Sequence, residues 1–252
     1  MRKGESIALT LYTLSIWRLI LDNALRLQYL EAMGIDVWLP RAPVPAGQPL
    51  AFEESIDHTE AETKGSATDN WNALKAEVAD CTKCALCTTR SKTVFGSGNQ
   101  QADWMLVGEA PGQQEDEQGL PFVGSAGLLL TEMLRAIGLT REEVFMTTVL
   151  KCNPPDSRDP HVNEVESCYA YLQRQQQLIK PKIIVALGRV AAQTLLKTDE
   201  PLSGLRGKLH TFNDTPVVVI YHPAYLLRFL PKKREAWLDL KYAIQSFKNY
   251  EG

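Results

Sequence analysis

The stretch Ile183-Ile-Val-Ala-Leu-Gly188-Arg-Val-Ala-Ala-Gln-Thr-Leu-Leu196 sets an unbroken apolar run, a glycine and a helical pattern end to end. A strand made only of apolar residues is buried on both faces, as happens in a parallel sheet covered by helices on either side. The glycine lets the chain turn sharply from strand to helix. The same alternation extends in both directions. Trp104–Gly108 reads as a short apolar strand and Ala126–Ile137 as a helix stopped by Gly138. Val144–Leu150 reads as a second strand, and Asn163–Ile179 as a polar helix closed by Pro181. Pro216–Tyr221 is the fourth strand and Lys232–Phe247 the closing helix. The expected fold class is α/β: a three-layer α/β/α domain over 71–252 with a four-stranded parallel sheet. Ligands in such sheets bind beyond the carboxyl ends of the strands. Here those ends are Gly108–Glu109, Thr148 to Cys152, Gly188 and His222.

Upstream the pattern changes. Residues 1–38 form a helical extension, because Leu19, Leu21, Leu25, Leu27 and Leu30 recur at helical spacings before Gly34. Residues 39–70 read as a linker, first proline-rich and then acidic and disordered; its part 53–69 holds six acids against Lys64. Ile7–Trp17 is uncharged, but Arg18 ends that run at 11 residues, short of the roughly 20 that a membrane span requires. A signal peptide is conceivable, but no convincing small-x-small cleavage site follows.

Twenty-seven basic and 30 acidic residues leave a net charge of −3, which taken whole points away from a strongly basic nucleic-acid binder. The distribution says otherwise. Residues 1–70 carry six basic and ten acidic side chains, whereas 206–248 carry eight basic and three acidic, a local +5. An acidic average hides a basic surface.

There are five cysteines, Cys81, Cys84, Cys87, Cys152 and Cys168. An odd number, with three inside seven residues, is a poor disulfide framework and reads as a metal site in a reducing compartment. The pair Cys81-x2-Cys84 is followed after 67 intervening residues by Cys152, and after 15 more by Cys168. Four thiolates suit zinc or an iron–sulfur cluster, and one CxxC does not discriminate between them. Cys87 repeats the spacing as a fifth candidate.

Two strand ends carry further chemistry. The first runs into Gly108-Glu-Ala-Pro-Gly112 and then Gly119-Leu-Pro-Phe-Val-Gly124, where glycines let backbone amides face a ligand. It is not a phosphate loop, because no Gly-Lys-Ser/Thr follows. The fourth runs into His222-Pro-Ala-Tyr-Leu-Leu-Arg228, which sets apolar residues beside a cation, a pairing that wedges into base stacks while contacting phosphate. Taken singly, a glycine-rich connection, a structural histidine and core leucines explain these segments equally well.

Together, in this order and spacing, these segments with Lys151-Cys152 resemble the family 4, iron–sulfur-containing uracil-DNA glycosylases over about 71–248. The resemblance implies the uracil-DNA glycosylase fold and hydrolysis of the bond joining uracil to deoxyribose in DNA, the first step of base-excision repair. It implies a [4Fe-4S] cluster on Cys81, Cys84, Cys152 and Cys168, with Cys87 spare. It places Glu109 and His222 in catalysis, and Ala110, Glu115, Phe122 and Thr148 around the base. In the family, the position of Glu115 excludes the thymine methyl and that of Phe122 stacks on uracil. Leu227 and Arg228 fall in the loop that enters DNA. The implied partner is uracil-containing DNA, single- or double-stranded. A cytoplasmic monomer without membrane attachment is expected, with the N-terminal extension as a surface for a protein partner.

One position departs from the family pattern. Its second strand ends Thr-Asn-Val-Val-Lys-Cys, whereas this chain has Thr147-Thr-Val-Leu-Lys-Cys152. Thr148 replaces an asparagine whose amide offers a donor and an acceptor at fixed geometry, and a hydroxyl is shorter and rotatable. Three consequences stand beside each other: compensation by a neighbour such as Asn153, a different base preference, or a non-catalytic iron–sulfur DNA-binding homologue.

Overall fold

The computed structural model describes residues 67–251; the extension expected over 1–38 and most of the linker lie outside them. In chain order the helices are α1 (Ala67–Ala79), α2 (Gln113–Gln118), α3 (Ser125–Ala136), α4 (Val162–Ile179), α5 (Arg189–Leu196), α6 (Leu202–Leu205), α7 (Pro223–Arg228) and α8 (Lys233–Glu251). The strands are β1 (Ser97–Gly98), β2 (Trp104–Gly108), β3 (Val144–Thr148), β4 (Ile183–Leu187), β5 (Leu209–Phe212) and β6 (Thr215–Ile220).

The sheet order is β1-β3-β2-β4-β6-β5. The four inner strands are parallel, as expected, and every residue of β2, β3 and β4 is buried. Two antiparallel edge strands extend the sheet to six. Neither edge carries a long apolar run, for physical reasons. β1 is two residues long, and β5 is half exposed, so Leu209-His-Thr-Phe212 mixes polar and apolar residues. β5 turns into β6 through Asn213 and Asp214, both at positive φ (45° and 64°), as a tight hairpin requires.

Side chains alternate across the strands and so divide the core in two. Met105, Val107, Phe145, Ile184, Ala186, Val217 and Val219 face α1, α4 and α5 through Trp71, Leu74, Tyr171, Leu172, Ala191 and Leu195. Trp104, Leu106, Val144, Met146, Val185, Val218 and Ile220 face α3, α7 and α8 through Leu130, Leu134, Leu226, Ala236 and Leu240. These are the three layers. The carboxyl ends of β2, β3, β4 and β6 therefore lie along one edge of the sandwich.

Leu172 of α4 is fully buried. Leu172→Ala removes its transfer energy and leaves a cavity, lowering stability by about 2–5 kcal/mol. The expected readout is a lower urea midpoint at unchanged m-value; an unchanged midpoint would contradict this packing.

Candidate active site

The site begins where β2 ends without a side chain. A Cβ on Gly108 would stand 2.7 Å from Cζ of Phe122, so the ring occupies the space that glycine leaves. Phe122 comes from the loop between α2 and α3 and has φ 55°, a left-handed conformation that a bulky residue adopts only when its surroundings enforce it. Two side chains do so. Glu115 accepts from the amides of Val123 (2.9 Å) and Gly124 (3.1 Å) with Oε1 and from Gly112 (3.1 Å) with Oε2. Arg141 donates to the carbonyls of Pro121 and Phe122, each at 3.1 Å. The carboxylate of Glu115 is thus committed to the loop backbone, and its geometry is that of a brace.

His222 follows β6 and caps α7, with Pro223 in the first turn. Its Nδ1 accepts from the Ala224 amide at 3.1 Å, which leaves the proton of a neutral imidazole on Nε2. Gly188, at φ 89°, lets His222 approach: a Cβ there would lie 2.9 Å from His222 Cβ. The rings of Phe122 and His222 are 6.2 Å apart at 33°. Burial pushes His222 down to about 4, with Glu115 opposing that shift and Arg228 adding to it. The imidazole is neutral at physiological pH.

Gly112, Gly188 and His222 border a cleft of about 760 Å³ at the strand ends. Glu109, Ala110, His222 and Arg228 line it. Phe122, only 7% exposed, and Glu115 and Thr148 are not among its lining residues, and Leu227 is 39% exposed. Glu109 is held above the usual carboxylate range by burial and by Asp159, with Arg189 pulling the other way. Thr148 turns its hydroxyl back to the Leu150 carbonyl at 2.6 Å, so the hydroxyl is already engaged. Asn153 lines the cleft, and in the orientation its surroundings favour it donates from Nδ2 to the Pro111 carbonyl at 2.9 Å. Arg158, Asp159, Arg189, Tyr221 and Tyr225 also line the cleft, and sequence reasoning did not single them out. They sit singly in loops or at helix starts, where no periodicity marks them.

The thiols gather beyond the end of β3. Cys152 and Cys168 are buried in one cluster with Leu86 and Leu150, and Cys84 packs against it. Arg90 donates from Nη1 to Cys152 Sγ at 3.1 Å. Cys168 also feels the charges of Cys81 and Cys84, so all four expected ligands belong to one electrostatic neighbourhood. Burial pushes Cys152 up to about 11, against the pull of Arg90. Among the described residues, no three His, Cys, Asp or Glu side chains close tightly enough to grip a single metal ion. Lys151, also buried, donates to Thr147 Oγ1 (2.6 Å), the Thr148 carbonyl (2.6 Å) and Gln175 Oε1 (2.8 Å), tying the end of β3 to α4. A lysine closing an apolar run was the signal for such a partner.

A family model described as the uracil DNA glycosylase superfamily matches residues 95–241. The chain is 47% identical over 169 residues to a type-4 uracil-DNA glycosylase of Archaeoglobus fulgidus, covering 64% of this chain and 84% of that one. It is 41% identical over 190 residues to a type-4 uracil-DNA glycosylase of Saccharolobus solfataricus, covering 71% and 88%. A type-4 uracil-DNA glycosylase of Thermotoga maritima is 40% identical over 157 residues, covering 62% and 82%.

His222 is expected to stay neutral, with its proton on Nε2, down to about pH 5. Nitrogen-15 NMR of the imidazoles tests this: a His222 signal that titrates near 6.5 would contradict the buried environment.

Proposed function

Because the chain belongs to the uracil-DNA glycosylase superfamily and stands within it among the type-4 uracil-DNA glycosylases, we infer that it extrudes uracil from DNA and hydrolyses its N-glycosidic bond to leave an abasic site. The observation that carries the site assignment is the neutral, Nε2-protonated His222 beside Phe122 at the end of two strands.

Taking a base out of a duplex costs a few kcal/mol. Leu227, exposed at the end of α7, fills the gap, and Arg228 meets phosphate at the cleft mouth. The base enters toward Phe122. Cleavage of the bond between uracil N1 and C1′ leaves the electron pair on the base, with charge developing at O2, and a cation on the sugar. Nε2–H of His222 donates to O2, and the backbone at Ala110 faces the same anion. A neutral imidazole suits this role, because it stabilises the anion without having to carry a charge in a desolvated site. Glu109, as carboxylate, steadies the sugar cation and orients the water that adds to C1′. Asn153 is the amide in the cleft wall, and it takes over base reading from the engaged Thr148.

Cys81, Cys84, Cys152 and Cys168 are the residues that would hold a [4Fe-4S] cluster: four thiols in one neighbourhood, two of them buried, with the Arg90 cation against Cys152. When bound, the cluster cross-links the turn at Cys81 to the end of β3 and to α4, a staple between segments distant in sequence.

The test is uracil release from single-stranded DNA by purified protein with four irons per chain. His222→Ala is expected to lower the rate by roughly 10²–10³-fold, as for loss of an oxyanion donor. In the wild type the rate should fall as pH drops through the Glu109 value, above the ordinary 4.5, because only the carboxylate is active. Glu109→Gln should abolish that limb. Intact iron content without release from any uracil substrate would overturn the function.

A further inference from the structure

Three rings form a column beside the cleft. Tyr221 and Tyr225 stack with centroids 5.1 Å apart and planes 17° apart. Tyr225 and Phe229 stack at 4.6 Å and 29°, as residues four apart on one helical face do. The inner end is anchored. The Arg206 guanidinium lies 3.9 Å from the Tyr221 ring centre. Arg206 donates in turn to Asp239 (2.7 Å) and Glu235 (2.8 Å), and the Tyr221 hydroxyl donates to Glu235 at 3.1 Å. Tyr221 and Tyr225 line the cleft together with His222.

The outer end is open. Phe229 is 49% exposed, and it follows directly on Leu227 and Arg228. Lys233 and Arg234 are exposed a turn further on. A half-exposed phenyl ring, backed by two stacked rings and flanked by cations, has the composition of a single-strand platform: a flat face for a base and positive charge for its phosphates. Phe229 is not part of the buried core, where Leu226 of α7 supplies the contact.

We propose that Phe229 extends the column as a stacking platform for a nucleobase adjacent to the one extruded into the cleft. This rests on the uracil-DNA glycosylase reading above and adds a subsite to it. Every base has a π-face, so the subsite supplies affinity without base identity. Its role differs from that of Leu227: Leu227 fills a gap in a duplex, whereas Phe229 also engages a single strand.

The test is binding of the iron-loaded full chain to a single-stranded oligonucleotide with one non-hydrolysable 2′-fluoro-deoxyuridine, followed by fluorescence anisotropy. A parallel set lacks the base on the 5′ or the 3′ side of that position. Phe229→Ala and Phe229→Leu should each weaken Kd about tenfold, within the range that base–aromatic stacking supplies. Phe229→Trp should retain wild-type affinity. Deleting one neighbouring base should weaken the wild type by the same factor and add nothing to Phe229→Ala. Binding by Phe229→Ala within twofold of wild type would overturn the platform, and so would a loss that is the same with and without the neighbouring base. Uracil release measured on the same preparations separates the two claims. Release with no Phe229 effect overturns only the platform, and a base-dependent Phe229 effect without release overturns only the glycosylase reading. No binding by the wild type overturns both.

Discussion

Gly108 ends β2 and Gly188 follows β4, and the two ring-bearing residues of the site crowd the places where their Cβ atoms would be. A Cβ on Gly108 would press on Phe122 at 2.7 Å, and one on Gly188 would press on His222 at 2.9 Å. The glycines do not merely permit turns. They leave room for Phe122 and His222 close to the strand ends, with 6.2 Å between the two ring centroids. The rest of the site is arranged to hold that approach: Glu115 and Arg141 fix the strained Phe122 loop, and the Ala224 amide fixes the imidazole. Such interlocking donors are what catalytic precision needs, since a group displaced by an ångström loses most of its effect.

The electrostatics follow from burial on both sides of the cleft. His222 loses its charge and keeps a donor, while Glu109 is held toward its neutral form yet stands beside Arg189. In the proposed reaction, the first would meet a developing anion and the second a developing cation. The environments push both groups away from their ordinary values, as acid–base sites commonly require. The thiols beyond β3 lie apart from this cleft chemistry, packed with Leu86 and Leu150 between segments distant in sequence.

Much of this was legible in the sequence. The four inner strands announce themselves because each is buried on both faces, and their carboxyl ends name Glu109 and His222. The edge strands do not, since β1 is too short and β5 too mixed to show a period. Arg141 was equally silent, because its contact with Phe122 spans 19 residues and exists only once α3 is folded. The role of Glu115 was legible as an acid in the right place, whereas its use of both oxygens on backbone amides required coordinates. Thr148 stood out as a departure from the family pattern, and the structure adds that its hydroxyl is occupied by Leu150.

In the proposed function, the space framed by Gly108, Phe122, Gly188 and His222 receives the extruded base. A crystal structure of the protein soaked with free uracil tests it most directly. The expected result is a uracil ring stacked on Phe122 with O2 at hydrogen-bond distance from Nε2 of His222. Uracil bound elsewhere in the cleft, away from both rings, would contradict the account.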